Sequence, residues 1–415
     1  MSNRKTAIRR RPAERGQTIV LVAVALVSLL GMAALAIDVT TLYVAKGELQ
    51  RAADAAALAG AKTFVDSGVT TDNSVTRQTL AQTMITSVVN SVLAQNNVSG
   101  AAPTLVTATP DFTRPGNPQL SVTLQRTNLP TFFARIWGTR LVTVTATAVA
   151  EAYNASSSQN STGNYVPITP KCVKPLLVPN LDPNRAGAPY IPVVATGAVA
   201  PGLVGEGPFT LSNPCPNGAA PCRPVPAPAP VNYYPATTAA NPANLCPSCV
   251  GASSFEQSIE CCDFNSYTCG GTVPVSPAPY AGVDGGMSGN TARQDVHSGV
   301  QCLIHSPGED TIVVDDLIAG TGPAKITAGS GPQSGNLVTT SSSIVTLPIF
   351  DVASLNTASG QVTIVGFMQV FIAGVAGNGD LTLTILNVVG CGNNPSAGAP
   401  VSGGGMSPIP VRLIH

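Results

Sequence analysis

Charged side chains are scarce in this chain, and in one stretch they are missing altogether. No Lys, Arg, Asp or Glu occurs from Thr18 to Ile37 (TIVLVAVALVSLLGMAALAI). Over the whole sequence charged residues make up 10% and aromatic residues 5%, with a single tryptophan. A chain so poor in cations and rings lacks the basic, aromatic-studded surface that nucleic acid requires, so that partner is set aside. No Gly-rich phosphate loop, nucleophile elbow or HExxH helix is present, so the sequence does not look like an enzyme. It implies no cofactor, no metal and no small-molecule substrate. Cysteine is absent from the first 171 residues.

The uncharged run is long enough to matter. At about 1.5 Å per residue, a helix over Thr18–Ile37 matches a hydrocarbon core of roughly 30 Å. Arg4, Lys5, Arg9, Arg10, Arg11 and Arg15 precede it against one acid, Glu14, and Asp38 closes it. Positive charge stays on the cytoplasmic side, which predicts a basic tail over residues 1–17 inside, a single span over 18–37, and everything later outside. The alternative is a cleaved signal peptide, for which Ala34-Leu35-Ala36 offers an A-x-A site. Against it, the apolar stretch exceeds a usual h-region, and the sequence past Asp38 continues in helical register. Processing after Gly16 in the prepilin manner fits less well, because position 21 is Leu21 instead of an acid.

The ten cysteines, Cys172, Cys215, Cys222, Cys246, Cys249, Cys261, Cys262, Cys269, Cys302 and Cys391, all lie on the exported side. An even number there predicts disulfides in an oxidising compartment, with the connectivity left open. Cys246-Pro-Ser-Cys249 has the spacing of a zinc or redox site, yet its surroundings offer no thioredoxin-like context, and Cys261, Cys262 and Cys269 are better read as structural. His297, Cys302 and His305 form the only close Cys/His group, read here as a paired cysteine flanked by loop histidines. Glu309-Asp310 and Asp315-Asp316 are acidic without the oxygen-rich spacing of a calcium loop. Charge is also uneven: residues 1–153 carry +6 and residues 154–415 carry −6.

Beyond the span, Leu42, Ala45, Leu49, Ala52, Ala56 and Ala59 recur at three- and four-residue steps, an alanine-built seam that asks for a helical neighbour. Ser74–Asn96 is a candidate for that neighbour, with Leu80, Met84, Val88 and Val92 on one face and Ile85, Val89 and Leu93 widening it. Period-2 segments follow at Thr104–Thr109, Gln119–Arg126 and Arg140–Tyr153, with a short helix expected over Pro130–Trp137. These make residues 38–153 a small exported α+β unit. A polar linker spans 154–164, and 30 of the 36 prolines come after it. Residues 165–415 therefore read as a Cys-, Pro- and Gly-rich β module. PCRPVPAPAP (Pro221–Pro230) is extended, Gly403–Gly405 is flexible tail, and strands lie at Thr311–Leu317, Ile344–Phe350, Val362–Val375 and Asp380–Val389. The fold class is α+β.

Glu14–Ala61 resembles the N-terminal region of TadE/TadG-like proteins of the Flp (tight-adherence, Tad) pilus system. The resemblance rests on Arg15-Gly16-Gln17, Asp38, Leu42-Tyr43, Leu49-Gln50 and the block Ala52-Ala53-Asp54-Ala55-Ala56-Ala57-Leu58-Ala59. Thr131–Ala152 is similar to the strand region that follows in such proteins. The resemblance implies a bitopic protein of a bacterial inner membrane, with its bulk in the periplasm and other pilus-assembly proteins as partners. It implies no catalytic residues. Some relatives carry a von Willebrand A-type domain with an Asp-x-Ser-x-Ser motif; Asp351-Val352-Ala353-Ser354-Leu355 lacks the needed hydroxyls. An adhesin-like ectodomain held on an anchor is the alternative role.

Overall fold

No proline falls between Pro12 and Pro103, so nothing interrupts the helical propensity of the apolar run and the alanine-rich stretch behind it. Both belong to one helix, α1 (Glu14–Ser67), 54 residues long. The structure, a computed structural model, describes residues 14–114, 117–138, 141–152, 170, 172–195, 197–212, 231–236, 253–261, 267–274, 289–304, 315–318, 325–338, 341–355, 360–391 and 409–414. The first 13 residues of the basic tail, the linker at 154–164, the Pro221–Pro230 run and Gly403–Gly405 lie outside the described residues.

The N-terminal half of α1 is long and apolar enough to cross a membrane, by length and composition. Its large apolar side chains from Ile19 to Ile37 stay 49–70% exposed. Within the run Ser28 donates to the Val24 carbonyl at 2.8 Å, and just past it Thr40 donates to Ala36 at 2.7 Å and Thr41 to Ile37 at 2.9 Å. That pairing suits surroundings that offer no hydrogen bonds. The helix ends at Gly68, whose φ of 76° is the left-handed stop that glycine adopts without strain.

The chain divides into two units. One comprises Met1–Ala56, Val89–Ala108 and Ser121–Ala148; the other comprises Ala57–Val88, Thr109–Leu120 and Val149–His415. The first has a core of small residues. Ala45, Leu49, Ala52, Ala53 and Ala56 of α1 are at most 2% exposed. Val89 and Leu93 from α2 (Val75–Gln95), Val122 and Leu124 from β2 (Gln119–Pro130), and Ala146 and Ala148 from β3 (Leu141–Ala152) are buried with them. Along α2 the buried line is Ala81, Ile85, Val89 and Leu93, while Leu80, Met84, Val88 and Val92 are half-buried. The stripe is thus rotated by one residue from the sequence reading, because a small alanine packs closer than a leucine.

The second unit is built on β11 (Ile344–Phe350), β12 (Gln361–Val375) and β13 (Leu381–Gly390), an antiparallel meander. β5 (Phe209–Leu211) extends it beside β13, and β4 (Leu176–Pro179) runs parallel to β11 with β6 (Tyr234–Pro235) outside it. β7 (Thr272–Pro274) pairs with the start of β12. Both faces are covered, which is why β12 reads as a nearly unbroken apolar run. One face packs on α3 (Ser254–Glu260) and α4 (Gly289–Ile304), with Phe255, Ile259, Val296, Val300 and Ile304 against Leu347, Val370 and Ile385. The other buries Leu177, Tyr234, Tyr267, Phe350 and Phe367. A small sheet of β8 (Asp316–Ile318), β9 (Lys325–Thr327) and β10 (Leu337–Val338) adds Ile326 against Phe371 and Leu386. Of the strand expected at Thr311–Leu317, residues 311–314 lie outside the described residues.

A third sheet joins β1 (Thr104–Asp111), β2, β3 and β14 (Val411–Ile414) in that order. Within the second unit, Arg412 on β14 donates to the 3%-exposed carboxylate of Glu151 at 2.6 Å, and Asn117 adds a bond to the same group at 3.2 Å. The end of α1 also belongs to this unit. Phe64 meets Phe112 edge-on at 5.6 Å, and Asn387 on β13 donates to the Val65 carbonyl at 3.3 Å. Two helices, α3 and α4, occupy a region that shows little helical period in sequence, because Gly289 and Gly299 mask the short apolar line Val296, Val300, Ile304.

Candidate functional site

Asp38 is the first charged residue after the span, and it is 4% exposed. A carboxylate so placed needs donors. It finds them in the turn between β2 and β3. Oδ1 accepts the Phe132 amide at 2.8 Å and the Phe133 amide at 3.3 Å; Oδ2 accepts Phe133 at 3.0 Å and Ala134 at 2.6 Å. Burial pushes the Asp38 carboxyl up, and the amides of Ala134, Phe132 and Phe133 outweigh it, so its pKa lies below the ordinary 3.8. The residues that follow form one 3₁₀ turn, Ala134–Trp137, closed by Gly138 at φ 98°. Sequence placed a helix over Pro130–Trp137, but Pro130 ends β2, and only four residues are helical. The three leading amides are held by a side chain 94 to 96 residues away instead of by their own turn.

Farther along α1, Lys46 donates to the Thr145 carbonyl and Gln50 to the Thr147 carbonyl at 3.2 Å. Glu48 accepts the Ser99 amide at 2.8 Å. The bonds of Lys46 and Gln50 bind β3 along the helix. Four helix residues rise about 6 Å and two strand residues about 6.6 Å, so the two elements run side by side in the same direction. Of the alanine seam, Ala45, Leu49, Ala52 and Ala56 are buried within the chain itself, whereas Leu42 and Ala59 are half-buried. Ala53, Ala57 and Ala61 join them, so the helix buries a broader small-residue face than the single seam.

Cys269 and Cys391 form a disulfide with S–S 2.22 Å, beside Tyr267 and Phe350. Cys172, Cys261 and Cys302 are also disulfide-bonded, and none of the described cysteines is free. Cys215, Cys222, Cys246, Cys249 and Cys262 lie outside the described residues. Bonded Cys302 has no thiolate to offer as a nucleophile. His297 is on helix α4, not in a loop, with Nδ1 3.2 Å from the Ala376 carbonyl; His305 lies outside the described residues. Asp315 is committed to the Gly329 amide at 2.9 Å and the Ser341 hydroxyl at 2.5 Å, and Asp351 caps its own turn through the Ala353 amide at 3.0 Å. Among the described residues no group of three or more His, Cys, Asp or Glu is placed to hold a metal.

Sequence reasoning misses one cluster. Arg185 reaches Glu206 at 2.8 Å and Asp182 at 3.3 Å. Burial drives the Asp182 carboxyl above its ordinary value, Glu206 adds to this, and the Asn184 amide and Arg185 oppose it. Asp182 and Arg185 stand three residues apart, with Asp182 capping the turn Pro183–Arg185, but no local spacing connects that pair to Glu206.

Residues 16–63 match the Tad family model, described as Flp pilus-assembly TadE/G-like. By this match the segment is similar to TadE/G-like proteins. No curated protein and no solved structure matches the chain. The TadE/G-like segment begins just before the apolar run, contains Asp38, and ends one residue short of buried Phe64. Its two halves differ in surroundings: the first is sheathed in exposed apolar side chains, and the second is buried on its alanine face.

Proposed function

We propose that the chain is a membrane-anchored, non-enzymatic structural component of Flp pilus assembly, acting through helix packing and contacts of its exported part. The observation that carries this is the TadE/G-like segment, residues 16–63, whose single helix joins a bilayer-length apolar half to a half packed in the folded domain. Such a helix fixes a folded body at a set distance from a membrane. The charge bias before Thr18 supports a cytoplasmic N-terminus and a periplasmic bulk in a bacterial inner membrane. Disulfides at all five described cysteines support delivery to an oxidising compartment.

The test is removal of the gene and restoration with the full chain, scored by Flp pili on the cell surface and by co-purification with pilus-assembly proteins. Loss and recovery of pili is the expected result. Normal pili together with lost surface attachment would replace this reading with an adhesin-like one. A reporter fused after His415 should be active only outside the cytoplasm.

A further inference from the structure

The apolar surface of α1 does not stop where the span closes. Val39, Tyr43 and Val44 are 57%, 79% and 53% exposed, continuous with the exposed sheath that ends at Ile37. At this level the first unit adds a second apolar element. The Asp38 carboxylate fixes the backbone of Phe132–Ala134 at the end of the span, and Phe132 is 61% exposed there. Leu141, which opens β3, is 57% exposed. Its height follows from the pairing of Lys46 with Thr145. Four strand residues back from Thr145 is about 13 Å, or about nine helix residues, which sets Leu141 level with the end of the span. Exposed Arg135 lies in the same turn as Phe132, and the nearby acid, Asp38, is occupied by backbone amides.

From this juxtaposition we infer that the turn Thr131–Gly138, Leu141 and the face Val39–Val44 form a collar that rests in the headgroup layer of the membrane α1 crosses, with anionic lipid as its partner. The inference rests on the membrane reading above. Rings and aliphatic side chains favour the headgroup–acyl boundary, and cations beside them meet lipid phosphates. Tyr43 stands about 7.5 Å beyond Asp38, inside an interfacial layer of roughly 5–8 Å. A carboxylate buried under three amides lets the turn enter that layer without presenting unpaired donors. The collar would fix the tilt and depth of the helix, a constraint that one smooth apolar cylinder cannot supply by itself.

Trp137, the only tryptophan in the sequence, is replaced by phenylalanine and exposed Phe132 by tryptophan (Trp137→Phe with Phe132→Trp), so that one ring at position 132 reports the depth of the turn. Full-length protein is reconstituted into phosphatidylethanolamine–phosphatidylglycerol vesicles carrying a nitroxide either high or low on the acyl chain. Strong quenching by the shallow label, weak quenching by the deep label and protection from aqueous iodide are expected. Adding Val39→Ser and Leu141→Ser, both at exposed positions, should abolish the shallow quenching and expose the ring to iodide. Alkaline carbonate extraction separates the two levels of failure. Release of the chain would overturn the membrane reading and this inference with it. Retention with the ring at position 132 open to iodide and untouched by either lipid label, or an added Val39→Ser and Leu141→Ser pair that leaves the quenching unchanged, would overturn the collar alone.

Discussion

Asp38 holds the three consecutive amides that lead into the short 3₁₀ helix Ala134–Trp137, a turn almost a hundred residues away. Charge-assisted bonds of this kind weaken when the acceptor is protonated. The Asp38 pKa is lowered in the folded chain, so its contribution is complete above the ordinary value of 3.8 and is lost as pH falls through the folded value. Hydrogen exchange of the Phe132, Phe133 and Ala134 amides should therefore be slow at neutral pH and lose its protection only below that window. Asp38→Ala should remove the protection at every pH while leaving α1 helical. Equal protection in the parent and Asp38→Ala would show that the turn stands without the clamp. Glu151 is the second residue of this kind. With Arg412→Ala its buried carboxylate loses its cation, and a cost of about 1.5–3 kcal/mol in urea unfolding is expected.

At the scale of elements, α1 buries a face of small residues within the chain. Ala56→Leu places a large side chain where nothing is exposed, and overpacking of this sort costs typically 1–3 kcal/mol. The expected result is a lowered melting temperature in detergent with unchanged membrane insertion, while Arg51→Gln, at an exposed site, should match the parent. An unshifted melting temperature for Ala56→Leu would mean the face is loosely packed. How far such elements are legible in sequence depends on their period. The apolar run, α2, β11, β12 and β13 announce themselves because their patterns extend over seven or more residues. Asp38 is visible as the residue closing the span, but its clamp is not, because no local spacing connects it to Phe132. Helices α3 and α4 escape because each buries only two or three large side chains among glycines and polar residues. The turn at Pro130 is misread because proline at a strand's end and proline at a helix's start look alike without their partners.

For the whole molecule, the β meander ends where the chain is covalently closed. Cys391 follows β13 directly and is joined to Cys269 across 122 residues, so the bond ties the segment before β7 to the last strand of the meander. A closure of that length restricts the unfolded chain strongly; removing a native disulfide typically costs about 2–5 kcal/mol. Replacing both partners, Cys269→Ser with Cys391→Ser, leaves no stray thiol and tests the bond alone. Urea unfolding followed by Tyr emission in the second unit, which buries Tyr190, Tyr233 and Tyr267, should show a midpoint lowered in proportion. The apolar half of α1 should be indifferent, because its exposed sheath takes no stability from the sheet; carbonate extraction of the variant should leave it in the membrane as before. If the midpoint is unchanged, the sheet's two buried faces alone carry the fold. If instead the variant is released from membranes, the anchor depends on the exported body, and the division of labour along α1 is wrong.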